Sequence, residues 1–209
     1  YGKILNSLAA FIATLESTDN PYIDFKAGDD SALSAQEQAG LALFEGKAGC
    51  SACHGGDLLT DGGLYVTGVP ANPDVFSEPA RHITFRRFFK QFAVGEFDEL
   101  RADPGHFAMT HEEADLGRLR TPSLLEAGRT APYMHNGVLA TLEDVVRFYN
   151  DSEGDAPNKD ELLGPLNLSD DEIGSLVAFL QSLGSDAPAF DAPGPEDLPP
   201  YELLPLGSN

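Results

Sequence analysis

Two cysteines and a histidine constrain this chain more than any other feature of its sequence. Cys50 and Cys53 are the only cysteines among 209 residues, and His54 follows them directly. Cys-x-x-Cys-His is the attachment signal of haem c, in which two thioether bonds hold the haem and the adjacent imidazole binds its iron. We therefore predict one covalently attached haem on this chain, with His54 as an axial ligand.

Two other uses of a cysteine pair fit this sequence less well. A structural zinc site takes about four ligands, and no second Cys-x-x-Cys exists in the chain. A thioredoxin-like redox pair is expected beside a βαβ pattern, but no strand-like alternation persists along this sequence. Haem attachment needs only the residues that are present.

The apolar pattern predicts an all-α fold, a cytochrome c-like haem domain with long loops. A first helix is indicated by apolar residues at helical spacing, namely Ile4, Leu8, Phe11 and Leu15. Three later helices begin with a capping-box pattern, at Ser34, Thr141 and Ser169. A short helix is expected around residues 85–92, within long loops. We divide the chain into a helix at 1–20, a haem domain at 21–185 and a Pro-rich acidic tail at 186–209.

The charge of the chain excludes some classes of partner. Thirteen basic residues stand against 34 acidic ones, which gives a formal net charge of -21. Nucleic acids and anionic lipids bind through Lys and Arg, so neither is expected as a partner. The charge suits a basic redox partner or simply solubility.

No apolar run approaches the roughly 20 residues of a membrane span, and no signal peptide opens the sequence. Haem c attachment itself indicates the periplasm.

The second axial ligand decides what such a haem does, and local sequence leaves it open. Met109, Met134, the other four histidines and several tyrosines are all available. A methionine in a helical protein is usually core filler, and a tyrosine is usually a packed ring with a bonded hydroxyl.

Several longer blocks resemble the C-terminal haem domain of the di-haem cytochrome c peroxidase and MauG-like family. They are LRTPSL at 119–124, TAPYMHNG at 130–137, TLEDVVRFYN at 141–150, GLALF at 40–44 and GHFAMT at 105–110. The TAPYMH block is the most specific. In this family the second iron ligand lies fourteen residues after the histidine of that block, and here this position is Tyr149. Peroxidases carry Met there and the MauG-like branch carries Tyr, so the resemblance implies Tyr149, with Met134 as the alternative.

The resemblance implies further roles. Backbone carbonyls of Thr130 and Pro132 match positions that hold a calcium ion between the two haem domains of the family. Arg120 matches an arginine that pairs with a haem propionate. One departure is visible, because the family's usual Leu-Arg-Asn after Pro-Ser/Thr is Leu-Leu-Glu at 124–126.

The resemblance implies that this chain acts as one domain of a larger enzyme. The full protein would be a MauG-like di-haem peroxidase or oxidase, an oxidoreductase in which hydrogen peroxide reacts at a second haem in an N-terminal domain or companion chain. The present haem would relay electrons between that site and a redox partner protein, and residues 1–20 would correspond to the inter-domain helix. The alternative is a mono-haem c-type electron-transfer cytochrome.

Overall fold

The computed structural model describes residues 2–12, 19–152 and 154–185, without the side chain of Phe76. Over these ranges the chain is helical, as predicted, with one small antiparallel sheet. The helices are α1 (Gly2–Ile12), α2 (Pro21–Lys26), α3 (Ala35–Glu45), α4 (Pro73–Ser77), α5 (Pro79–Gln91), α6 (Phe107–Thr110), α7 (Leu142–Asn150) and α8 (Asp170–Gln181). The strands are β1 (Leu64–Tyr65) and β2 (Leu119–Arg120), and Leu64 pairs with Arg120.

The three predicted capping boxes are confirmed. Ser34, Thr141 and Ser169 each accept a hydrogen bond from a backbone N–H in the first turn of α3, α7 and α8. In each helix the acidic residue three positions later returns a bond to the backbone of the capping residue. Because these bonds satisfy N–H groups that a helix leaves free, they begin each helix at a defined residue.

The core lies where α3 crosses α8. Phe179 on α8 is fully buried, and the ring of Phe44 on α3 lies 5.2 Å from it. Gly40 allows the close crossing, since a Cβ at this position would collide with the carbonyl oxygen of Ser175. The residue that follows α3 by a few positions is Cys50, so this helix pair provides the rigid base for the predicted haem motif.

The first helix is exposed along its whole length. The apolar face predicted for the first helix exists on α1, but none of its residues is buried, and Ile4 and Leu8 are 62% and 53% exposed. Leu15 and the rest of 13–18 lie outside the described residues, as does the acidic tail predicted at 186–209.

Two details differ from the sequence-based expectation. The helix expected around 85–92 is α5, which begins earlier because Pro79 occupies its first turn, where proline is well tolerated. The all-α class is confirmed, and the one small sheet, in which β1 pairs with β2 within the long loops, has no signal in the sequence. Two residues per strand are too few to show alternation in a sequence.

None of the helices in the described part of the chain is long and apolar enough to cross a bilayer.

Candidate haem site

The cysteine motif is presented by one tight turn. Gly49 adopts a left-handed conformation with φ of 63°, and a 3-10 turn over Cys50–Ala52 follows. The backbone N–H of His54 donates to the carbonyl of Cys50 at 2.9 Å, which brings the histidine back beside the first cysteine. Both thiols are free rather than joined. Burial raises the pKa of Cys50 to about 11, so in the haem-free chain this group is a neutral thiol.

The ring of His54 is oriented for binding a metal. Its Nδ1 lies 3.1 Å from the carbonyl oxygen of Leu59, an acceptor that favours a proton on Nδ1. Burial lowers the pKa of His54, although the carbonyls of Leu59 and Pro122 act in the opposite direction. A neutral imidazole whose Nδ1 donates to a carbonyl presents its Nε2 lone pair as a ligand, the usual arrangement of metal-bound histidine.

Tyr149 lies beside the same motif although nearly one hundred residues separate them in the sequence. It occupies the last turn of α7. Its pKa is raised to about 12, mainly by burial and to a lesser extent by the nearby Cys50 and Cys53. These contributions indicate that the phenol lies within electrostatic range of the two thiols. A ferric ion would favour loss of the phenol proton, because a bound cation reverses the effect of burial.

The two methionines are placed differently. Met109 is 65% exposed at the end of α6. Met134 is half-buried in a turn, where its backbone φ is 67° and its carbonyl accepts from the N–H of Gly137. Among the contacts of the described residues, none joins the side chain of Met134 to the cysteine motif. Met109 is therefore exposed and Met134 partly buried, whereas Tyr149 lies within electrostatic range of both cysteines.

A second loop lies against the motif and was not singled out from the sequence. The N–H of Asp61 donates to the carbonyl of Cys53 at 2.8 Å. The hydroxyl of Tyr65, on β1, donates to the Asp61 carboxylate at 2.6 Å, and this bond is the largest cause of the raised pKa of Tyr65. Burial raises the pKa of Cys53, and the nearby Tyr65 hydroxyl acts in the opposite direction. No motif marks the pair of Asp61 and Tyr65 in the sequence, and the bond of Asp61 to Cys53 holds it at the site.

Arg120 is exposed on β2, and its guanidinium lies over the same loop. A Cβ at Gly62 would stand 3.3 Å from Arg120 Nη1. Gly62 follows Asp61, whose backbone bonds to Cys53. The arginine therefore lies near the motif. None of the ion pairs found among the described residues involves Arg120.

The positions matched to calcium ligands lie on the surface. Thr130 and Pro132 are both exposed. Over the described part of the chain, no backbone hydrogen bond uses the carbonyl oxygen of either residue. At the departure from the family pattern, Glu126 accepts from the N–H of Ser185 at 3.1 Å and lies 3.6 Å from Arg129. The glutamate thus ties this turn to the end of α8.

These residues fit haem c. Two reduced thiols, a neutral imidazole with a fixed ring and a buried phenol lie together, and each has the chemistry that attachment or iron binding requires.

Comparison with known proteins agrees with this chemistry. The chain is 42% identical over 198 residues to a cytochrome-c peroxidase, IdrP2, of Pseudomonas sp. (strain SCT), a match that covers 95% of this chain and 53% of the relative. It is 33% identical to the methylamine utilization protein MauG of Methylorubrum extorquens, over 90% of this chain and 45% of that protein. The chain belongs to the di-haem cytochrome c peroxidase and MauG-like family.

A solved structure supports the same family. A MauG-like protein associated with microbial copper homeostasis superposes with a TM-score of 0.62 at 26% identity, over 81% of this chain and 53% of that one. Among models of protein families, none matches the chain. The chain spans about half the length of the curated relatives it matches. The fold is thus the predicted cytochrome c-like domain, and membership of the MauG-like family implies haem c as its cofactor.

Proposed function

We propose that this chain is the C-terminal haem c domain of a periplasmic MauG-like di-haem peroxidase or oxidase, and that it relays electrons. The bound haem would supply one-electron redox chemistry. The observation that carries the proposal is the proximity of Tyr149 to the cysteine motif. Hydrogen peroxide would react at a second haem in an N-terminal domain or companion chain, and a redox partner protein would exchange electrons with the complete enzyme.

The residues of this chain have separate tasks in that proposal. Cys50 and Cys53 attach the haem, and His54 binds one side of the iron through Nε2 because its Nδ1 is turned to Leu59. Tyr149 would bind the other side. With both iron positions held by protein side chains, this haem would offer no site to peroxide. An anionic phenolate favours ferric over ferrous iron, so this haem is suited to sharing oxidising equivalents.

Three further residues complete the proposed site. Arg120, whose guanidinium lies over Gly62, would pair with a haem propionate by charge-assisted hydrogen bonds. The carbonyls of Thr130 and Pro132 would contribute to a Ca²⁺ site, since hard oxygen ligands suit this ion. The remaining calcium ligands would come from outside this chain.

The test is a pair of ligand variants in the haem-loaded protein. We expect Tyr149→Phe to convert the ferric haem of this domain from six-coordinate to five-coordinate high-spin, as seen by electron paramagnetic resonance and absorption. Met134→Leu removes the competing thioether and should leave the ferric spectrum unchanged. The reverse result would make Met134 the ligand and remove the basis for the MauG-like branch.

A haem count on the intact native protein separates the proposed enzyme from the mono-haem alternative. Native mass spectrometry should find a second haem, on the same polypeptide or on a companion chain. A native protein with one haem and no companion would be an electron-transfer cytochrome instead.

A further inference from the structure

The segment that follows Tyr149 returns over the end of its helix. α7 ends at Asn150, whose side chain accepts from the N–H of Leu168 at 2.7 Å and whose carbonyl accepts from the N–H of Leu166 at 3.1 Å. These bonds close the loop that follows α7. The backbone N–H of Asp160 also donates to the carbonyl of Val66 at 3.1 Å, so the loop is joined to the segment after β1.

A small cavity lies at the end of α7. Its volume is about 10 Å³, and Tyr149 lines it together with, among others, Phe148, Ser152 and Lys159. A void removes packing partners from one side of the groups that line it. The position of the ring therefore depends on how firmly the other walls of the cavity are held.

Lys159 holds one of these walls. Its Nζ donates to the Ser152 hydroxyl at 2.7 Å and to the Ser152 carbonyl at 3.1 Å. Ser152 has a left-handed φ of 54°, which is costly for a residue with a side chain and persists only where the surroundings enforce it. The Ser152 hydroxyl in turn lies 3.3 Å from the carbonyl of Leu163, which lines the same cavity.

The partners that Lys159 takes are unusual for this chain. Acidic residues are close in the sequence at Asp155, Asp160 and Glu161, yet the bonded oxygens are a hydroxyl and a carbonyl inside the loop. Within the described ranges, Lys159 makes no ion pair of 4.0 Å or less. The lysine therefore acts as an internal donor at the end of α7 and not as a surface counter-ion.

We propose that Lys159 is a positioning residue for Tyr149: it anchors the loop that holds the phenol toward the iron. This inference rests on the proposed function only in taking Tyr149 as the second iron ligand. When the anchor is lost, Ser152 is released from its left-handed conformation, the cavity wall relaxes and the phenol leaves the iron more often. An external ligand can then compete for the vacated position.

The test measures ligand competition in the haem-loaded protein with imidazole as the probe. We expect Lys159→Met to raise the affinity of the ferric haem for imidazole by about tenfold, and to produce a high-spin signal in electron paramagnetic resonance. Lys159→Arg keeps a cationic donor and should bind imidazole as the wild type does. Lys90→Met, which removes an exposed lysine from α5, is the matched control and should also leave the affinity unchanged.

The outcomes separate this inference from the ligand assignment. If Lys159→Met keeps the wild-type imidazole affinity and spin state while Tyr149→Phe changes both, the positioning role is wrong and the ligand stands. If Tyr149→Phe changes neither, the proposed ligand itself is wrong. If Lys159→Met does not load haem, Ser152→Ala decides, because it removes the shorter bond and keeps the charge. A smaller rise in imidazole affinity supports the anchor, and an unchanged affinity overturns it.

Discussion

At the scale of single residues, His54 owes its position to near neighbours in the chain, whereas Tyr149 owes its own to packing. The bonds of His54 to Cys50 and Leu59 span only a few residues. They follow from the tight turn after Gly49 and belong to the motif itself. The place of Tyr149 next to both cysteines depends on how α7 meets the rest of the molecule, and so does its raised pKa.

One ion pair links the approach to the haem motif with the start of α8. Lys47 Nζ lies 2.7 Å from a carboxylate oxygen of Glu172, and the same oxygen accepts from the N–H of Ser169 at 2.8 Å. The bond from Lys47 is the largest cause of the lowered pKa of Glu172, and the bond from Ser169 is the next. Both partners are partly exposed, so solvent screens the pair.

Glu172→Gln should therefore lower the free energy of unfolding in a pH-dependent way. Because folding lowers the pKa of Glu172, its contribution is present above the ordinary value of 4.5 and is lost as the pH falls through the folded pKa. The difference between wild type and variant should be largest near about pH 7 and should fade toward about pH 3 in urea unfolding curves. Lys47→Met in the same series completes a double-mutant cycle. A difference that persists undiminished in acid would contradict this account.

At the scale of elements, helix starts were predictable and helix partners were not. The residues that cap α3, α7 and α8 bond within their own first turns, so a short stretch of sequence contains the whole interaction. The crossing of α3 and α8 has no such local signal. Nothing in the sequence around Gly40 indicates a helix contact, although the structure places this glycine against the backbone of Ser175.

Gly40→Ala should destabilise the protein by at least about 2 kcal/mol, because the new methyl group collides with backbone that neither helix can move cheaply. Gly174→Ala on α8 is the matched control. A Cβ there meets only Gln36 Nε2, at 3.9 Å. Since alanine has the higher helix propensity, this variant should gain about 0.5–1 kcal/mol.

Denaturant unfolding of both variants gives the comparison. Equal effects of the two substitutions would mean that the helices are not in close contact at Gly40. A loss of haem incorporation in Gly40→Ala would be consistent with the proximity of α3 to the cysteine turn, while Gly174→Ala should load haem normally.

At the scale of the whole molecule, charge is the dominant feature. With 34 acidic residues and thirteen basic ones, at most thirteen acidic groups can pair one to one, which leaves at least 21 unpaired. The basic groups are also unevenly spread. α5 carries four of them, Arg81, Arg86, Arg87 and Lys90, and no acidic residue. The remainder of the surface is therefore still more negative than the average suggests.

Added salt should stabilise this protein against heat. The Debye length falls from about 30 Å at 0.01 M to about 8 Å at 0.15 M, which screens long-range repulsion among unpaired carboxylates more than short ion pairs. We expect the unfolding temperature of the haem-loaded protein to rise by several degrees over this range in calorimetry. Sodium and potassium chloride should act alike, since ionic strength is the cause. A falling unfolding temperature would show that ion pairs outweigh repulsion.

The sequence by itself predicted the haem attachment site, and it determined the helical class and the residues at which three helices begin. Each of these depends on hydrogen bonds or covalent chemistry between residues a few positions apart, so a linear pattern contains it. The nearness of Tyr149 to the cysteines and the close approach of α3 to α8 at Gly40 were decided by the tertiary structure. They depend on how segments far apart in the sequence pack, and many different sequences with the same local pattern would pack them elsewhere.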